Sequence, residues 1–180
     1  MVLDIITYPN KILKQISKPV ERFDKELHTL LDNMYETMIK NNGVGLAAIQ
    51  VGVPIRALII DIGDEKGKQS KDSLIEVINP EFLQWEGNIK DTEGCLSVPD
   101  YFDEVERYEK VKVKFFDRFG KEHIVDANGL LSVAFQHETD HLDGVLFIEK
   151  LDYIKRKKFE KEWKKRLKKQ KNNLCYTRWI

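Results

Sequence analysis

Long apolar runs are missing from this 180-residue chain: none approaches the roughly 20 consecutive residues that span a bilayer. The opening MVLDIITYPN also lacks a basic segment followed by an apolar stretch, so no secretory signal is read and the cytoplasm is the expected location. Cysteine is scarce. Cys95 and Cys175 stand in unlike settings, and in a reducing compartment a disulfide between them is not expected. Nor is there an internal repeat or a convincing linker. That leaves one domain over residues 1–180, long enough to bury a core unaided, so a metal ion here would serve chemistry rather than hold the fold. Net charge is absent too, but only as a sum. From Lys150 onward there are 13 Lys and Arg against 3 Asp and Glu; before it, 17 against 27. An acidic body with a basic tail points to a polyanionic partner for the tail alone.

What is present is largely amphipathic periodicity, in a chain 42% hydrophobic and 33% charged, as suits a globular protein. Across residues 24–41, Leu27, Leu30, Leu31, Met34 and Met38 recur at helical spacing, with Asp24 placed to cap the start and Gly43 just past the end. A shorter helix is expected around Ile12 and Leu13. Strand signals cover residues 57–62, 74–79 and 81–86, the first two separated by GDEKGKQSKDS, which reads as a mobile surface loop. Residues 92–101 read as irregular backbone at the end of a strand. Residues 110–117 and 121–126 alternate in polarity around Arg118-Phe119-Gly120, a hairpin with His123 facing solvent. A helix then runs over residues 129–142, capped by Asn128 and ended by Gly144; its Leu130, Val133 and Ala134 side marks it as buried. The last helix, residue 152 to about 171, carries Ile154, Phe159, Trp163 and Leu167 on one stripe among basic residues. The expected class is α+β: mostly antiparallel strands around a central helix, with a long N-terminal helix and a basic C-terminal one.

The central helix carries the chemistry. In QHETDHLDG, residues 136–144, His137 and His141 stand about one turn apart on the same face, and Glu138 follows the first. This HExxH pattern supplies two ligands to a metal, beside a glutamate able to take a proton from water on that metal. The plain alternative is a buried helix with two satisfied histidines. A catalytic site of this type wants a third protein ligand and an open position. Metzincins place a histidine three residues after Gly144, where Phe147 stands, and no histidine follows His141. Glu149 or Glu160 remains possible, as in thermolysin-like sites. Cys95 is the better candidate, since a thiolate binds zinc or iron(II) strongly and a polar, glycine-flanked loop poorly suits a small buried hydrophobe.

Three segments stand in order: GVGLAAIQ (residues 43–50), EGCLS (93–97) and QHETDHLDG (136–144). Together they resemble the signature motifs of peptide deformylases, over roughly residues 3–150. The resemblance implies a hydrolase that removes the formyl group from the N-terminal formyl-methionine of nascent polypeptides. It also implies Cys95, His137 and His141 as ligands of Fe2+, with Zn2+, Ni2+ or Co2+ able to substitute, and Glu138 as general acid and base. The Gln50 side-chain amide and the Leu96 backbone N–H would donate to the developing oxyanion. Gly43, Val44 and Gly45 would form an edge that pairs with extended peptide regardless of its side chains. Leu130, Val133 and Ala134, with Val44, would line an apolar pocket for methionine. Glu93 would shape the cysteine loop by pairing with Arg107. After Ser97-Val98-Pro99, where many relatives carry an arginine, this chain has an aromatic and acidic run from Asp100 to Glu106, which bears on contacts beyond the methionine. The basic tail would reach ribosomal RNA; neither membrane nor DNA is an expected partner. Two rival readings are a protease cutting internal peptide bonds and an RNA-binding module keeping a metal for structure.

Overall fold

The structure, a computed structural model, describes the backbone of residues 1–176 and the side chains of residues 1–169. Cys175 therefore lies outside the described side chains. The chain forms two compact units, Met1–Phe147 and the segment from Ile148 onward.

In the first unit, Lys25–Lys40 is a helix (α1). Leu27, Leu31, Met34 and Met38 bury one stripe of it, and Asp24 accepts hydrogen bonds from the Glu26 and Leu27 amides at 3.1 and 3.2 Å. A short 3-10 turn, Lys11–Lys14, buries Leu13. The strands Gly45–Ala47 (β1), Ala57–Ile60 (β2), Ile75–Glu86 (β3), Ile89–Cys95 (β4), Val98–Arg107 (β5), Lys110–Phe116 (β6) and Glu122–Asn128 (β7) all pair antiparallel. Five form a sheet in the order β1-β2-β3-β6-β7, while β4 and β5 make a separate ribbon. β2 can be an unbroken apolar run because both of its faces are covered. Leu58 and Ile60 join Val77, Val113 and Phe115 in a core completed by Ala134, Phe135 and Leu142 from the helix Gly129–Leu142 (α2). Ala57 and Ile59 join Leu31, Met34 and Met38 in a second core, against α1. Each such buried side chain contributes about 1.5–3 kcal/mol, so packing on both sides fixes the sheet between the two helices.

Several expectations need correction. The two strands expected over residues 74–79 and 81–86 are one strand, β3, irregular between Ile78 and Glu81. Asn79 sits there at φ 52, and its side chain accepts from the Val20 amide (2.8 Å) and donates to the Val20 carbonyl (2.9 Å). The irregular stretch of residues 92–101 belongs mostly to β4 and β5, and the run from Asp100 to Glu106 lies wholly within β5. The loop after β2 is anchored at its two ends by buried Asp61, whose carboxylate accepts from Gly63 N–H at 2.9 Å and from Ser70 N–H at 3.1 Å. Asn128 occupies the cap position of α2, but its side chain makes no capping bond. Leu130, in the first turn of that helix, is 49% exposed, whereas Val133 and Ala134 are buried. His123 is half-buried, bonded to Asp117 at 2.7 Å and stacked on Phe115.

In the second unit, Tyr153–Tyr176 is a helix (α3). Phe159 and Trp163, about one turn apart, are buried, with ring centroids 5.4 Å from each other. Ile154 is 80% exposed, so the buried stripe starts at Phe159 rather than at Ile154. Among the described residues no helix is long and apolar enough to cross a membrane.

Candidate metal centre

Strand β4 and helix α2 bring the chemistry together. The alternation of a strand sets Asp91, Glu93 and Cys95 on one face, and Cys95 ends β4 where its register with β5 shifts. His137 and His141 point out from successive turns of α2. Cys95 Sγ lies 3.2 Å from His141 Nε2, and one atom from each of Cys95, His137 and His141 falls within 4.8 Å of the others. An ion held tetrahedrally at about 2.3 Å from sulfur and about 2.0–2.1 Å from nitrogen sets S···N near about 3.5 Å, so this donor set fits such an ion. Among the described residues it is the one group of this kind, and neither Glu149 nor Glu160 belongs to it. Phe147, standing where a metzincin would have its third histidine, stacks on the His137 ring instead.

A second layer orients these groups. Glu93 Oε2 lies 2.7 Å from His137 Nδ1; a carboxylate accepts, so Nδ1 carries the proton and Nε2 is left for the cluster. Arg107 donates to both Glu93 oxygens, Nε at 2.7 Å and Nη2 at 3.0 Å, and its Nη1 reaches Asp140 Oδ2 at 2.6 Å. Burial works against the charge on Glu93, yet Arg107 and His137 outweigh it and bring its pKa down to about 2. Burial also drives His141 well below its ordinary value, which leaves it a neutral imidazole. For His137, burial is outweighed by the Cys95 sulfur and the Glu93 carboxylate, so a cation entering the cluster displaces its proton.

The Glu93 network makes an expected result in acid. Its folded pKa is below the free value of 4.5, so its stabilisation is complete above about pH 4.5 and is lost as pH falls toward about 2. Glu93→Gln should remove that acid dependence from urea-unfolding midpoints and destabilise at pH 7 by about 3–5 kcal/mol, because Arg107 then loses its buried counter-charge. An acid limb unchanged by the substitution would contradict this.

Beside the cluster opens a cavity of about 850 Å³, whose walls include Val44, Gln50, Leu130, Val133, Ala134 and Glu138. Glu138 is buried, its Oε2 has no hydrogen-bond partner, and burial raises its pKa to about 7. Gly45 makes room for it: a methyl group there would run into the Glu138 carboxylate. Gln50 is held in one orientation, its Oε1 accepting from the Ala47 amide at 2.8 Å. Its Nε2 is thereby aimed at Ser97 Oγ (3.1 Å) and Cys95 Sγ (3.6 Å). Leu96 follows Cys95 in the turn between β4 and β5, with its side chain against Gly43. All the residues singled out in the three motifs thus converge on one cavity wall or on the cluster beside it. Sequence reasoning missed Ser97 as the partner of Gln50 and Asp140 as the second partner of Arg107. It also missed the bond from Glu93 to His137, which strand alternation from Cys95 would have signalled.

The family model described as polypeptide deformylase matches residues 2–157. A peptide deformylase from Nautilia profundicola is 85% identical over 170 residues, covering 94% of this chain and 98% of that protein. One from Wolinella succinogenes is 58% identical over 165 residues, 92% of this chain and 97% of its own. Among solved structures, a peptide deformylase from Legionella pneumophila superimposes with a TM-score of 0.85 at 42% identity, covering 94% of this chain and 98% of the other. With the cysteine and two histidines gathered as metal chemistry requires, these likenesses carry one conclusion: the chain belongs to the peptide deformylase family, metal-dependent hydrolases that remove N-formyl groups.

Proposed function

We propose that this chain deformylates the N-terminal formyl-methionine of nascent polypeptides in the cytoplasm, with Cys95, His137 and His141 holding Fe2+, and Zn2+, Ni2+ or Co2+ able to replace it. The observation that carries this reading is Glu138, a buried carboxylate with an unpartnered oxygen and a pKa of about 7, at the cavity wall beside the cluster. When bound, the ion would acidify a water and polarise the formyl oxygen. Glu138 takes the proton that this water gives up and delivers it to the departing amine, a task suited to a group titrating near the working pH. Gln50 Nε2, fixed through Ala47, and the Leu96 N–H donate to the oxygen on which charge develops. Gly43, Val44 and Gly45 offer a strand edge to the peptide backbone, which tolerates many sequences. Val44, Leu130, Val133 and Ala134, all in the cavity wall, receive the methionine side chain. Glu93 holds His137 in the ligating tautomer.

The test is turnover of formyl-Met-Ala-Ser by anaerobically prepared enzyme. Formate release, with acetyl-Met-Ala-Ser and internal peptide bonds left intact, is the expected result; cleavage of internal bonds would make it a protease instead. The lysine- and arginine-rich α3 suits contact with ribosomal RNA. Salt-sensitive co-sedimentation with ribosomes should be lost on removing residues 152–180, and equal binding without them refutes that contact.

A further inference from the structure

We propose that Gln69 is a positioning residue for the substrate edge, holding Gly43 and Val44 in the conformation that receives peptide backbone. This rests on the reading that residues 43–45 pair with the substrate. β1 is only three residues long and lies at the border of its sheet, so its ladder with β2 holds the residues leading into it weakly. Val44 is 43% exposed and lines the cavity. Three hydrogen bonds fix this lead-in: Gly43 N–H to Met38 O at 3.0 Å, Asp61 N–H to Val44 O at 2.8 Å, and Gln69 Nε2 to Gly43 O at 2.8 Å. The same Gln69 amide nitrogen also donates to Asp61 O, at 2.7 Å. One side chain thus joins the carbonyl of the lead-in to that of the residue just past β2.

The loop between β2 and β3 is built to present this amide. Ser70, the next residue, donates its N–H to the Asp61 carboxylate (3.1 Å) and to Ser73 Oγ (3.1 Å), while Gly63 N–H and the Tyr35 hydroxyl bond the same carboxylate. Asp61 therefore anchors the loop through its side chain and receives the loop's glutamine on its main chain. The two hydrogens of a planar amide leave in fixed directions, so the spacing of the two carbonyls is fixed with them. A strand edge binds peptide when its N–H and C=O groups already point outward at strand spacing. If the lead-in were free to rotate, each binding event would have to order it, and the loss would fall on binding rather than on the chemical step.

The experiment uses full-length, metal-loaded enzyme carrying Gln69→Ala, Gln69→Glu or Gln69→Lys. Alanine removes both donors; glutamate keeps the size but sets an acceptor against two carbonyls; lysine returns donors. The expected result for Gln69→Ala is a KM for formyl-Met-Ala-Ser raised about 5–30-fold with kcat within about twofold, the scale of two lost hydrogen bonds. The Kd of the product peptide Met-Ala-Ser should rise in parallel, with Gln69→Glu worse and Gln69→Lys restored to within about threefold of the parent. KM and Kd unchanged in Gln69→Ala, kcat falling at constant KM, or Gln69→Lys as impaired as Gln69→Ala would each overturn the proposal. The Met-Ala-Ser titration needs no turnover. A parent enzyme that binds this peptide but releases no formate would sink the deformylase reading while Gln69 is still tested.

Discussion

Glu138→Ala should lower kcat by about 10²–10⁴-fold, the usual worth of a positioned proton carrier, while metal content stays at that of the parent. The carboxylate is not among the three cluster ligands, so its removal leaves Cys95, His137 and His141 in place. Nor should the fold suffer. Glu138 is buried with one oxygen unpartnered, and burial raises its pKa to about 7 from an ordinary 4.5. A carboxylate raised in this way makes folding less favourable as pH climbs through that interval, because the charged form is left in an apolar setting. In the metal-free protein Glu138→Ala should therefore match or exceed the parent in Tm at pH 7, and its stability should vary less between about pH 4.5 and pH 7. The active parent needs the deprotonated carboxylate to begin turnover, so kcat/KM should fall on the acid side. Full activity in Glu138→Ala, with metal bound, would remove the proton carrier from the mechanism.

Cys95→Ala should cost more, because it removes a ligand and not only a reaction step. Changes to groups that merely support a metal ligand lower affinity by about 10–100-fold, and losing the thiolate itself should exceed that. Dialysed Cys95→Ala is expected to retain less than about a tenth of the parent's metal, with deformylation falling in proportion. Cys95→Ser is the sharper comparison. A hydroxyl of the same shape remains neutral at pH 7 where a coordinating thiol deprotonates, so similar packing should come with similar metal loss. Arg107 and Glu93 keep their bonds to each other, to Asp140 and to His137, and Gln50 keeps its shorter bond to Ser97, so the Tm of either metal-free variant should stay near that of the metal-free parent. Metal retained at parental level would show that the sulfur is a neighbour of the site and not part of it.

Local chemistry explains which elements the sequence makes readable. Helix α2 is legible to the residue, 129–142, because Gly144 at φ 71 ends it and its histidines mark a face. α1 is legible from a five-residue apolar stripe and a working Asp24 cap. The β4–β5 ribbon is not. Gly94, Pro99 and the four acidic residues from Asp100 to Glu106 are poor strand formers, and the ribbon is held by long-range pairing, including Glu93 with Arg107. Leu130 shows a different limit: an apolar residue that lines a cavity has the same periodicity as one that fills a core. In the loop after β2, polar composition correctly indicates surface. It conceals a fully buried Asp61 that gathers the amides, and it concealed the hold of Gln69 on Gly43. For the site itself, Cys95 was reachable by eliminating later histidines, but Asp140 and Ser97 were not, since their roles arise only when β4, β5 and α2 meet.

X-ray absorption at the metal edge of the Fe2+- or Zn2+-loaded protein tests the centre most directly. The expected spectrum has one sulfur scatterer at about 2.3 Å and two imidazole nitrogens at about 2.0–2.1 Å, with the sulfur lost in Cys95→Ser. A shell of nitrogen and oxygen alone in the parent protein, with formyl-Met-Ala-Ser still turned over, would contradict a site built from Cys95, His137 and His141.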